Sequence, residues 1–117
     1  MSTIQVNGRM AIDPRNLEEV ARLCESMISA TREEVGLLEY SFWVNDDRDT
    51  VFVREHYEDE AALMEHLEKL NRDVAGELSA LIEMQALEVA AKRTPAIEKA
   101  LGGFGVEPTF FEPLCSR

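Results

Sequence analysis

The run from Val51 to Leu67, VFVREHYEDEAALMEHL, constrains this chain more than any other stretch, because its hydrophobic period changes in mid-course. Val51, Val53 and Tyr57 fall at even spacing with Phe52 between them, the β-branched and aromatic pattern of a strand buried largely on both faces. Beyond Asp59 the step lengthens. Leu63, His66, Leu67 and Leu70 share one side of a helix, while Glu60, Glu65 and Glu68 turn to water. Asp59 is placed to cap that helix, and Glu58 and Glu60 put negative charge at its positive end. A strand, a tight turn and a helix follow one another, with one histidine, His66, facing inward.

The same two periods order the rest of the chain. Ile4–Ile12 reads as a strand with Ile4, Val6, Met10 and Ile12 on one face and Gln5, Asn7, Arg9 and Ala11 on the other; Gly8 inside it signals a bulge or a close approach. Asp13 and Pro14 stop the strand. Asn16 and Glu19 approximate a capping box, after which Leu17, Val20, Ala21, Cys24, Met27 and Ile28 trace a helical stripe toward Glu34, with Gly36 supplying a left-handed terminus. In the second strand, Leu37 to Asn45, Leu38, Tyr40, Phe42 and Val44 alternate with Glu39, Ser41 and Trp43; the polar turn to Asp49 makes an antiparallel hairpin with the third. Asn71 is placed to cap a further short helix in which Val74, Leu78 and Leu81 face inward. Ile82 to Val89 is a fourth strand whose phase slips between Met84 and Leu87.

Residues 92–117 differ in character. Pro95 opens a short helix to Leu101, closed by Gly102 and Gly103, and Phe104, Phe110 and Phe111 follow among glycines and prolines. Three phenylalanines cost roughly 1.5–3 kcal/mol each to leave in water, so this extension is expected to pack on residues 1–91 or on a partner subunit. The order strand, helix, strand, strand, helix, strand is the split βαβ arrangement of an α+β, ferredoxin-like fold with a four-stranded antiparallel sheet. Strands two and three are apolar on both faces, which calls for a second copy over the helix-free side.

Composition narrows the function. A length of 117 residues with 45% apolar content is one globular domain, and a net charge of −11 argues against nucleic-acid or anionic-membrane partners. The amino-terminal MSTIQVNGRM is neither signal peptide nor anchor, which points to a soluble, cytoplasmic protein. Cys24 and Cys115 read as idle thiols, and no metal, phosphate-loop or nucleophile-elbow motif is present.

Two stretches together resemble one family. Glu34, Gly36 and Tyr40 fit a Glu-x-Gly-x-x-x-Tyr strand entry, and Glu55, Tyr57, Glu58 and Asp59 end a third strand before the helix that carries His66. Over roughly residues 3 to 90 this is similar to the antibiotic biosynthesis monooxygenase family. The resemblance implies a dimeric α/β barrel and a cofactor-free oxygenation of quinol-like or anthrone-like aromatic substrates by dioxygen. It implies His66 as proton acceptor, Asn7 as a hydrogen-bond partner of a substrate oxygen, and Trp43, Tyr40 and Tyr57 as pocket walls. Arg54 or Arg9 would stabilise an anion. Glu55 shares the phase of Val53 and Tyr57, so it is either buried and paired, with Arg54 or a partner subunit, or that face is wet. A haem-degrading relative would need a ligating histidine beyond His66, and none follows. Two other readings stand beside the enzyme: a hydrophobic-ligand-binding or regulatory module, and a structural dimer with no cavity.

Overall fold

A computed structural model describes residues 3–70 and 72–117. The elements run β1 (Ile4–Ile12), α1 (Leu17–Ser29), β2 (Leu37–Val44), β3 (Thr50–Tyr57), α2 (Glu60–Glu68), α3 (Arg72–Ser79), β4 (Ile82–Ala90), α4 (Pro95–Leu101) and β5 (Thr109–Phe111). Together they form an α+β, ferredoxin-like fold around one sheet of order β2-β3-β1-β4-β5. The first four strands pair antiparallel; β5 joins β4 parallel, Val89 opposite Phe110, so the sheet is mixed and five-stranded, and it is not closed. The expectation of four antiparallel strands is corrected by the tail. The outer edge of β4 would leave unpaired backbone groups, and residues 109–111 cover them, with Ala91 N–H donating to the Phe111 carbonyl at 3.1 Å.

Alternation along β1 sends Ile4, Val6, Met10 and Ile12 into the core. Gly8 sits on that same face, where a Cβ would come 2.9 Å from Val53 Cγ1; the glycine is demanded by close packing. The pairing of β1 with β4 shifts register between Arg9 and Met10, their partners being Ala86 and Met84. Gln85 is therefore the extra residue of a β-bulge, which is the physical source of the phase slip in that strand. A second register shift, at Leu37–Glu39 of β2, leaves Leu38 54% exposed and takes it off the face shared by Tyr40 and Phe42.

The helices differ from the sequence reading in detail. A 3-10 turn at Pro14–Asn16, capped by Asp13, precedes α1, and Asn16 makes no side-chain cap. The buried stripe of α1 is Val20, Leu23, Cys24 and Met27, with Ala21 and Ile28 outside it. The helix ends at Ser29, five residues short of Glu34. Gly36 carries no left-handed backbone: a Cβ on it would lie 2.6 Å from Ala62 Cβ, so it lets the α1–β2 loop pass against α2. Asp59 caps α2 by accepting from Ala62 N–H at 2.9 Å. The cap assigned to Asn71 lies outside the described residues. Two core clusters result. One joins Val6, Tyr57, Leu63 and Val89 to Ile97 and Leu101 of α4, and the other joins Met10, Val53 and Leu78 to α1. Cys24 is buried and Cys115 exposed, both as free thiols.

Candidate active site

Between the sheet and α2–α3 lies a cavity of about 560 Å³. Its wall is mostly apolar: Val6 and Met10 from β1, Phe42 from β2, Val53 from β3, Leu63 and Leu67 from α2, and Met84 and Leu87 from β4. Gly103, Phe104 and Gly105 of the tail complete it. Such a volume suits a ligand of several fused rings, and an apolar wall with a few converging polar groups is the usual make-up of a ligand site.

Polar groups converge at one place on that wall. His66 projects from the buried side of α2 and keeps 4% of its surface. Its Nδ1 lies 2.9 Å from Glu34 Oε1, and Glu34 is itself buried. With Glu34 as carboxylate, Nδ1 carries the ring hydrogen and donates it, leaving the lone pair on Nε2. Nε2 lies 3.8 Å from Glu55 Oε1. The two carboxylates thus meet opposite edges of one imidazole. The Tyr57 hydroxyl donates a short hydrogen bond to Glu55 Oε1, and the Tyr40 ring stands edge-on to His66 at 5.1 Å.

The electrostatics follow from the enclosure. Burial raises the Glu55 carboxyl above the ordinary 4.5, against the opposing pull of the Tyr57 hydrogen bond and the His66 charge. Glu55 is among the residues that line the cavity. Burial, reinforced by Glu55, also pushes the Tyr40 and Tyr57 hydroxyls far up, so both stay neutral phenols. The arrangement therefore offers a carboxylate-oriented imidazole beside a carboxyl that burial makes harder to ionise. These are the parts of general acid–base chemistry. Among the described residues no group of three or more His, Cys, Asp or Glu is placed to hold a metal ion.

The family's sequence profile, described as antibiotic biosynthesis monooxygenase, matches residues 3–70. The chain belongs to the antibiotic biosynthesis monooxygenase family. MupZ from Pseudomonas fluorescens superposes with a TM-score of 0.80 at 28% identity, over 100% of this chain and 96% of that one. Rv0793 from Mycobacterium tuberculosis (TM-score 0.66, 24% identity, 81% and 99%) and a conserved protein of Methanosarcina mazei Go1 (TM-score 0.66, 23% identity, 80% and 94%) share the fold. The match to MupZ takes in the C-terminal segment. No functionally curated protein matches the chain.

The six residues nominated from sequence in this family member part into two groups. His66 and Tyr40 line the cavity; Tyr57 is fully buried behind it, its ring 5.7 Å from His66. Asn7, Trp43 and Arg54 belong to the opposite, helix-free face, as does Arg9, because each has the other strand parity from Val6, Tyr40 and Val53. There Asn7 sits between Arg54 and Glu88, Trp43 Nε1 donates to Ser41 Oγ at 2.9 Å, and Arg54 Nε lies 3.7 Å from Glu39. Their assignment to the pocket is corrected. Glu55 pairs with Tyr57 and His66 inside its own chain, while Arg54 reaches Glu39 instead. Glu34 received no role from the sequence although it opens the Glu-x-Gly-x-x-x-Tyr pattern, and Glu55's shared phase with Val53 was the signal for its burial.

Proposed function

We propose that this chain is a cofactor-independent monooxygenase in which His66 takes the proton of a quinol-like or polycyclic phenolic substrate. The carrying observation is the imidazole itself: oriented by Glu34 through Nδ1, and set in the wall of an apolar cavity. Removing a phenolic proton makes the ring electron-rich enough to pass one electron to dioxygen. Recombination then forms a ring-carbon hydroperoxide, which loses water to give a quinone; one oxygen atom ends in the product and one in water. The Tyr40 hydroxyl, held neutral by burial, is a donor for the developing oxyanion. In this reading the protein works as a cytoplasmic homodimer through the helix-free face, supported by Trp43, 57% exposed, and by the exposed Leu38 and Phe111.

Glu55 favours a second reading, an acid–base catalyst that uses no dioxygen. A carboxyl that burial holds above its ordinary value, 3.8 Å from Nε2, sets two proton-exchanging groups side by side, as isomerisation requires. Dioxygen uptake with a panel of quinols and anthrones separates the two. The monooxygenase reading expects uptake with wild type and none with His66→Ala. Substrate turnover under argon with proton exchange from solvent would replace it with the second.

A further inference from the structure

Besides His66 and Glu55, one charged side chain lines the cavity, Arg72 at the start of α3; among the described residues it is the only lysine or arginine there. Arg72 is exposed and among the described residues enters no ion pair, whereas Arg15, Arg22, Arg54 and Arg93 each hold a carboxylate; Arg9, Arg32 and Arg48 enter none either, but they do not line the cavity. From Arg72 the helix turns Ala75, Gly76 and Ser79 toward the same space, the spacing of one helix face. A Cβ on Gly76 would meet nothing within 4 Å. A lane of small residues thus runs from a guanidinium to a hydroxyl along an otherwise apolar wall.

We infer that the ligand is an amphipathic monoacid, its ring-bearing apolar body in the cavity and its one carboxylate on Arg72. A guanidinium offers a planar pair of donors that matches a carboxylate. A chain of net charge −11 repels anions at large, so an anion is accepted only where a cation compensates it. A single cation balances a single negative charge, which favours a carboxylate over a phosphate dianion. Ser79 is a second donor on the same helix face. The reaction at the other end of this ligand rests on the function proposed above; the recognition at Arg72 does not.

The test is calorimetric titration of the full chain with a hydroxynaphthoic acid and with its methyl ester, which share one apolar body. The acid is expected to bind about fivefold more tightly than the ester at low salt, an advantage that shrinks as salt is raised. Arg72→Ala should bring the ratio to about one with the ester unaffected, Arg72→Lys should restore part of it, and His66→Ala should leave it intact. An ester that binds as well as the acid, a preference that survives Arg72→Ala, or no binding of either compound would each overturn the inference. A preserved preference without dioxygen uptake would remove the monooxygenase reading and leave the acid site standing.

Discussion

Glu34 Oε1 lies 2.9 Å from Nδ1 of His66, and the pair keeps at most 5% of its side-chain surface. Thirty-two residues of chain separate them. A buried carboxylate is costly unless paired, and this one is paired with the ring whose tautomer it sets. Glu34→Gln retains an acceptor for Nδ1–H but removes the charge and adds an amide that needs its own partner. It is expected to cost about 1–3 kcal/mol in urea unfolding and to lower turnover by about ten- to a hundredfold. The nitrogen chemical shifts of the ring report the tautomer: Nδ1–H in wild type, a mixture in the variant.

Glu55 makes stability depend on pH in a stated direction. Its folded-state value is raised above the 4.5 of an ordinary carboxyl, so the folded protein holds that proton more tightly than the unfolded chain does. The contribution is full below the unfolded value and is lost as pH rises through the folded one. Glu55→Gln cannot ionise and still accepts from Tyr57. Relative to wild type it should gain stability as pH rises above the ordinary carboxyl value of 4.5 and lose that gain below it, as read from urea midpoints.

The chain has two tyrosines, and both sit against His66 with hydroxyls held far above the ordinary 10 by burial. In an alkaline titration the phenolate absorbance should stay absent until the fold is lost, then rise for both rings together. A phenolate that titrates near the ordinary value in folded protein would place a tyrosine outside the enclosure.

Gly36 places a loop against a helix, and so places Glu34. With a Cβ built only 2.6 Å from Ala62, Gly36→Ala has to move α2 or the loop. A loss of about 1–3 kcal/mol is expected, with a fall in activity as Glu34 and His66 separate. Gly76→Ala meets open space and should fold as well as wild type.

Where two periods meet strongly, at β3 and α2, element types and the inward histidine were readable, because burial on a known face leaves a repeat in the sequence. The bulge at Gln85 was visible only as a phase slip, since an inserted residue leaves no chemical mark of its own. The three residues of β5 are too few to carry a period; they are strand because the edge of β4 needs partners. Asn7, Trp43 and Arg54 were given to the pocket by resemblance, while simple alternation already put Asn7 opposite Val6 and Trp43 opposite Phe42. Glu34 was hidden for a different reason: its partner is set by a loop path that Gly36 permits, and loop paths have no periodicity.

The proposed catalysis depends on His66 acting as a proton acceptor toward a guest in the cavity. The most direct measurement is quinol-dependent dioxygen consumption by folded His66→Ala, with and without added imidazole. Loss of uptake, partly recovered by imidazole at a pH where it is unprotonated, is the predicted result. Uptake at the wild-type rate in the variant would contradict it and remove the histidine from the chemistry.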